Sequence, residues 1–358
     1  MSLNPNPNPN PNPNPNPNPN PDVITPPLSL SSLSIAIATL TISLACGIAV
    51  ASESEKNTST DNSQMINVTG DAYIGAHHDS NVNVSELDTN TDTSDSAVKA
   101  NAKLKVAITP VEKWQFTASI QHSETRYNEL SEFDLAITTL AGEASYQLPW
   151  AKVGLHHYNA SADLDSNAFL TYQQTGVSLS NSAFSQGYWR ISVDAIDKAF
   201  DNVPERDADA LAGRIDGFWF FTNQSFVQVG LKYQNEDALD QAFDYDSYGL
   251  DVSYTYPTHF LGKALDLKLG YEMEDRRYGS GSQSNSSASS GGIFNDEFDQ
   301  QQNSRRDDDR HVVKASLEYA ALENMDIIIS AQYKDYGSTL ASADYQETLG
   351  EVGVKFHF

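Results

Sequence analysis

The chain has a single cysteine, Cys46, in 358 residues, and only 22 lysines and arginines against 48 aspartates and glutamates. One cysteine excludes an internal disulfide framework and zinc sites built on several thiolates. The net charge of −26 excludes binding of nucleic acid through its phosphates, which needs clustered lysine and arginine. Long apolar runs are missing beyond residue 51, and the mean hydropathy is −0.46. A helical membrane protein of several spans is therefore excluded. Acid in excess suits an extracytoplasmic surface that meets water and divalent cations.

The first 51 residues read as processed rather than folded. Asn-Pro repeats nine times from Asn4 to Pro21, and proline at alternate positions forbids both helix and ladder pairing. The run from Leu33 to Ala51 is apolar and ends in Ala49-Val50-Ala51. That small-residue ending predicts signal cleavage between Ala51 and Ser52. No basic residue precedes Lys56, which leaves a transmembrane helix as the rival reading. The alanine, serine and threonine content favours the signal peptide. Residues 52–64 read as a polar periplasmic leader, and 65–358 as the folded domain.

From residue 65 onward the pattern has period two. Val98, Ala100, Ala102, Leu104 and Val106 alternate with Lys99, Asn101, Lys103 and Lys105. Leu265, Leu267, Leu269 and Tyr271 alternate with Asp266, Lys268 and Glu272, and Val313, Ala315 and Leu317 with Lys314, Ser316 and Glu318. Fourteen such segments can be counted, of about ten residues each, which is what a tilted strand needs to cross a bilayer. The segment at 169–180 changes face partway and predicts a bulge. Joints alternate between short (109–113, 149–150, 181–185, 222–224, 257–262, 321–324) and long (78–96, 124–134, 159–168, 197–209, 235–245, 274–311, 336–345). That alternation suits short periplasmic turns and long outer loops. Aromatic residues gather at both strand ends and predict two interfacial girdles: Trp114, Tyr146, Trp150, Tyr254, Phe260 and Tyr319 among those at the short turns, Tyr127, Phe133, Tyr158, Phe169, Tyr233, Tyr245, Tyr271, Tyr278, Tyr333 and Tyr345 at the long loops.

The last strand places Val352, Val354, Phe356 and Phe358 on one face, and Glu351, Lys355 and His357 on the other. This ending resembles the closing strand of Gram-negative outer-membrane β-barrels. The resemblance implies that Phe356 and Phe358 are an insertion signal read by the barrel-insertion machinery. Two further stretches, Asp79-Ser80-Asn81-Val82-Asn83 and the terminal segments Arg305–Tyr319, Ile327–Tyr333 and Tyr345–Phe358, resemble the barrel domain of surface lipoprotein assembly modifiers and porin-like barrels. The helical-repeat domain of those modifiers has no counterpart within 52–64.

In a barrel the polar face of each strand turns inward. That face carries Lys99, Lys103, Lys105, Lys152, Arg190, Arg214, Lys232, Lys268, Lys314, Lys334 and Lys355, and the acids Asp71, Glu143, Asp194, Asp216, Asp251, Asp266, Glu272, Glu318 and Glu351. Charges there need water or partners. Eight strands are filled by side chains and about sixteen leave a channel, so fourteen predict a narrow aqueous lumen that the joint 274–311 could constrict. The acidic outer joints read as a solvated rim, or as loose sites for divalent cations bridging lipopolysaccharide. His77-His78-Asp79-Ser80 brings hydrolase residue types together, but neighbours in an extended chain point in opposite directions and do not form a triad.

The expectation is an all-β transmembrane antiparallel up-and-down β-barrel of about fourteen strands in the bacterial outer membrane. It would be a non-enzymatic, cofactor-free, porin-like passive channel for small solutes or ions. Its partners would be outer-membrane lipid, lipopolysaccharide and the insertion machinery, with no nucleic acid and the oligomeric state left open. The alternatives are a surface or assembly barrel with a plugged lumen, such as a lipoprotein-export component, and a barrel hydrolase.

Overall fold

The computed structural model describes residues 66–183, 186–279 and 306–358. The Asn-Pro repeat, the signal peptide with its Ala51–Ser52 junction, the leader and most of the joint 274–311 lie outside the described residues. Among those described, no helix is long and apolar enough to cross a membrane.

The strands are β1 (Ile66–Asp79), β2 (Asn83–Val84), β3 (Thr89–Asn90), β4 (Asp95–Val111), β5 (Trp114–Tyr127), β6 (Leu135–Gln147), β7 (Lys152–Leu164) and β8 (Asn167–Ala183), followed by β9 (Gly187–Phe200), β10 (Ala208–Phe220), β11 (Phe226–Ala238), β12 (Tyr245–Phe260), β13 (Lys263–Tyr278), β14 (Asp307–Leu322), β15 (Met325–Ser338) and β16 (Tyr345–His357). β2 and β3 form a small hairpin of their own; the other fourteen close into one antiparallel barrel in chain order. Each barrel strand pairs antiparallel with its neighbours in that order. Closure comes from β1 on β16, with Asp71 opposite His357 at one end and Asp79 opposite Leu349 at the other. Phe358 completes the seam by exchanging two backbone hydrogen bonds with Gly70, at 2.9 and 3.0 Å.

Residues paired across a ladder share a face, so the register sorts the wall into two surfaces. Ile74, Leu104, Ile120, Leu140, Leu155, Val177, Ile191, Ile215, Leu231, Leu269, Val313, Ile329 and Val352 are all exposed and point outward on successive strands. A continuous apolar belt around a closed barrel is stable only against lipid. Closure also leaves no strand edge unpaired, which hydrocarbon demands. This is a bacterial outer-membrane β-barrel. The inner-end girdle is built as expected: Trp114 lies against Phe116 and Tyr146, with centroids 5.8 and 5.0 Å apart, and Phe260 against Tyr319 at 6.1 Å. The outer girdle holds Tyr233 with Tyr248, and Tyr271 with His311. Tyr127, Tyr158, Tyr245, Tyr278 and Tyr345, which sequence placed there, are instead buried. Their registers put them on the inward face, where Tyr127, Tyr245, Tyr278 and Tyr345 fill the outer end of the lumen and Tyr158 lies lower, against His156.

The strands run 13 to 17 residues, longer than the bilayer requires, and rise beyond it. Much of what read as outer loop is therefore strand. The joint placed at 159–168 is a two-residue turn, Asp165–Ser166, with both residues at positive φ, the geometry of a tight hairpin. The bulge expected in β8 is present. Ala162 pairs with Leu170 and Asp163 with Ala168, which leaves Phe169 as the extra residue, packed edge-on against Phe200 at 5.7 Å.

Four outer joints share one device. A single 3-10 turn, at Ser131–Phe133, Pro204–Arg206, Gln241–Phe243 or Ala341–Ala343, is followed by an aspartate. In the first three that carboxylate accepts the backbone N–H where the incoming strand ends: Asp134 from Tyr127 at 2.7 Å, Asp207 from Phe200 at 2.6 Å and Asp244 from Ala238 at 2.7 Å. The side chain satisfies a donor that the ladder leaves behind.

The closing seam depends on two glycines. The Tyr73 ring lies over Gly75 and Gly353, and its hydroxyl donates to Glu351 at 2.5 Å. A Cβ on Gly353 would sit 2.3 Å from the Tyr73 hydroxyl and 2.6 Å from the Ile74 carbonyl. Gly353→Ala is expected to destabilise the barrel by about 1–3 kcal/mol through overpacking. The measurement is the urea midpoint of the heat-modifiable folded band. Tyr73→Ala in the same background should restore part of the loss, and an unchanged midpoint in Gly353→Ala would refute the role of the seam.

Candidate functional site

All twenty charged positions assigned to the polar face lie on the inward face of the register. Most find partners on the same wall. Lys99 donates to Glu351 at 2.8 Å, Arg214 bridges Asp216 and Asp251 at 2.6 Å each, and Lys314 reaches Glu272 at 2.7 Å. Lys334 reaches Glu347 at 2.7 Å, Lys268 and Lys355 both bind Glu318, and Lys152 donates to Gln115 at 2.7 Å. Asp194 meets His156 at 2.5 Å, and Asp71 stands opposite Lys103, Asp266 opposite Glu318 and Arg190 opposite Asp216. Lys105 has Lys103, Glu143 and Lys152 for charged neighbours, and Lys232 has Glu274 and Arg276. These pairs join neighbouring strands, as Lys314 on β14 does with Glu272 on β13, or reach across one strand to the next but one, as Lys99 on β4 does to Glu351 on β16, and so brace the wall.

On β13 and β14 the mid-barrel ladder is wet, whereas His156, Asp194 and Asp216 on the opposite side are buried. The side chains of Lys268 and Lys314 keep 42% of their surface exposed and Glu272 keeps 38%. At the outer end it is not: Arg310, Lys334, Glu236 and Glu347 are buried among Tyr245, Tyr278, Tyr336 and Tyr345. Glu236 takes Lys198 at 2.6 Å and the Tyr245 hydroxyl at 2.8 Å, and Arg276 pairs with Glu274 at 3.0 Å. Glu236, Glu274 and Arg276 read as loop charges in the sequence. They are lumen residues because the strands continue past the bilayer.

What closes the outer end is the joint after β1. Residues 80–94 carry the β2–β3 hairpin, with a 3-10 turn at its tip, Ser85–Leu87. Near its base it is sewn to β16: Ser80 N–H donates to Thr348 O at 3.0 Å, and the Thr348 N–H donates to Ser80 Oγ at 2.7 Å. Asn83 spans the Glu347 carboxylate at 2.9 Å and the Tyr345 hydroxyl at 3.1 Å. Val82 is fully buried against Ala97, Tyr127, Leu130 and Phe133. Asn90 reaches the β15–β16 joint at Ser342 O, 2.7 Å.

The tip goes to the far wall. Arg206, in the joint between β9 and β10, donates to the Glu86 carbonyl at 2.9 Å and to the Asp88 carboxylate at 2.8 Å. In the closed ring β10 is seven places from β1 by either route. A chain leaving β1 meets Arg206 only by crossing the mouth. Arg306, just before β14, makes two more bonds to the same carboxylate, at 2.9 and 2.7 Å. The lid is thus held at three places around the rim, and Asp88 takes guanidiniums from two of them. Beside the tip a recess of about 370 Å³ remains, bounded by Leu87, Glu132, Leu164, Phe169 and Val203 among others.

Sequence reading assigned constriction to 274–311; among the described residues the crossing segment is 80–94. Asp88 read as one acid among many, because neither arginine that meets it is near it in sequence. The residues at 77–80 do not converge. His77 faces Glu351 at 3.6 Å, His78 meets Ser96 on the outer face, Asp79 accepts from Tyr127, and Ser80 is engaged by Thr348. On the outer wall Asp209 stands directly opposite both Asp197 and Asp237. Among the described residues no three histidine, cysteine, aspartate or glutamate side chains group as a metal site.

No protein-family model matches the chain, and no curated protein matches it. Among solved structures it is similar to the outer-membrane protein OmpT of Vibrio cholerae, at 10% identity over 83% of this chain and 99% of that one, with a TM-score of 0.48. It is also similar to an anion-selective porin from Comamonas acidovorans, at 8% identity over 82% and 99% with a TM-score of 0.47. A third is the outer-membrane channel DcaP of Acinetobacter baumannii, at 9% identity over 82% and 97% with a TM-score of 0.48.

Burial alone pushes the Asp88 carboxyl up, but the hydrogen bond and charge of Arg306, then the charges of Arg206 and Arg310, hold it well below the usual carboxylate range. Asp308 faces the same group through Arg306, and Tyr278 through its ring against Arg306. A carboxyl lowered in the folded state contributes stability that is full above its unfolded value, about 4, and is lost as pH falls through the folded value. Hydrogen-exchange protection of Ser85–Asp88, corrected for intrinsic rates, is therefore expected to be flat from neutrality to about pH 5. It should then fall in acid. Asp88→Asn should lower it at every pH, by up to about 3–5 kcal/mol for breaking a buried pair; protection insensitive to both acid and substitution would refute the clasp.

Proposed function

We propose that this outer-membrane barrel is a passive channel for small solutes or ions whose outer mouth the 80–94 lid opens and closes. The observation that carries the reading is the wet mid-barrel ladder, where inward lysine and glutamate side chains keep about two-fifths of their surface exposed. A lumen filled by side chains would leave no such surface. Lysine and glutamate on facing strands set a transverse field that small hydrated solutes cross without a dedicated catalytic group. The barrel is proposed to act without enzymatic chemistry or a cofactor, in contact with outer-membrane lipid and lipopolysaccharide.

The lid favours a second reading, a barrel plugged at its outer mouth that serves surface assembly. The two differ in what removal of the lid does. In planar bilayers, wild-type protein is expected to open rarely, and a variant with residues 82–92 replaced by a short Gly-Ser linker to conduct in nearly every insertion. A lidless barrel that folds but never conducts would overturn the channel reading. In the conducting form, Lys314→Glu is expected to move the reversal potential in a KCl gradient toward cation preference, since it replaces a base by an acid in the wet section.

A further inference from the structure

The two arginines that hold Asp88 also have contacts on the rim. Arg206 lies on the Phe243 ring at 4.1 Å. Arg306 lies on the Tyr278 ring at 4.2 Å and forms a fork with Asp308 at 2.9 and 2.7 Å. Each guanidinium thus has a contact on the rim besides Asp88, and together they present three N–H donors to one point beneath the mouth. Arg310 stands behind, 3.7 Å from Asp308. With Asp88 withdrawn, Arg206, Arg306 and Arg310 would be left with Asp308, and with Glu274 near Arg310.

Asp88 fills this position under strain. Its backbone is left-handed, at φ 53° and ψ 36°, a conformation that aspartate adopts at some cost and that persists only where surroundings impose it. Nothing in the bonds it accepts requires that the carboxylate belong to the chain. A free carboxylate or phosphate group satisfies the same planar donors, and arginine forks suit both.

We propose that Arg206 and Arg306 form an anion site for solutes bearing a carboxylate or phosphate group, that Asp88 occupies it while the mouth is closed, and that such a solute opens the mouth by displacing the lid tip. The inference rests on the channel reading and names the class of solute that the channel admits. Displacement needs no new bond in the wall. The solute takes over the three guanidinium hydrogen bonds, and the lid keeps its anchors on β16.

Inorganic phosphate serves as the probe, with folding of each variant checked by heat-modifiable mobility. Calorimetric titration of Asp88→Gly, which removes the carboxylate and suits a positive φ, should show phosphate binding at least tenfold tighter than in wild type. Adding Arg306→Gln should abolish it. In bilayers, exchanging chloride for phosphate at constant ionic strength and pH should raise the open probability of wild type several-fold. Asp88→Gly should be open in either salt. If Asp88→Gly binds phosphate no more tightly than wild type, the anion site is refuted even if the barrel conducts. If it binds phosphate tightly but no variant conducts, the site stands and the channel reading fails. Binding without any effect of phosphate on wild-type opening would refute the displacement step.

Discussion

Everything in this protein follows from the rule that a backbone N–H or C=O in hydrocarbon must find its partner within the chain. A sheet meets that rule only by closing on itself, so the last strand must find the first. Here the pairing of β1 with β16 runs from the Phe358–Gly70 exchange at one end to Asp79 opposite Leu349 at the other. Among the described residues the seam is the one ladder formed between strands distant in sequence, and it has side-chain support. Tyr73 lies across two glycines and ties to Glu351, which in turn holds Lys99 of β4. Strand closure and lumen charge are thus parts of one arrangement.

Closure also divides the molecule's electrostatics into two regimes. The inward lysines and carboxylates of β13 and β14 in the middle section, Lys268, Glu272 and Lys314, stay hydrated, and their pairing with neighbours costs little to break. At the outer end, charge is buried among tyrosines and needs complete partners, because an unpaired buried ion is expensive. The change occurs where the lid begins. By crossing to the opposite wall, residues 80–94 turn an open rim into an interior, and the arginines and carboxylates beneath it become a connected network rather than a solvated fringe.

Much of this architecture was legible in the chain. Alternation such as Val98-Lys99 and Leu267-Lys268 marked the strands and their faces, and the loss of phase near 169 marked the bulge at Phe169. Strand ends were less visible. Past the bilayer both faces are polar, as in Asp275-Arg276-Arg277, so the period-two signal disappears although the ladder continues. For the same reason the tyrosines at 127, 158, 245, 278 and 345 read as girdle residues, when one residue of phase put them inside. The lid was hidden for another reason. Asp88 has no local mark, and its meaning comes from Arg206 and Arg306, which only the closed ring brings within reach.

The aspartate cap that recurs at the outer rim gives each incoming strand its own closing bond, as Asp207 does for Phe200. The backbone of the turn also binds the next hairpin: Asp207 O and Glu205 O accept from the Leu239 and Asp240 N–H groups, at 2.7 and 3.0 Å. A hairpin ending in this way is a modular stave. One more or one fewer would alter the circumference by two strands while every remaining turn kept its own closure. The arginine on such a stave, as at Arg206, takes no part in the cap and reaches the lid and the Phe243 ring instead, which makes the rim the place where the fit of the lid is set apart from the barrel that carries it.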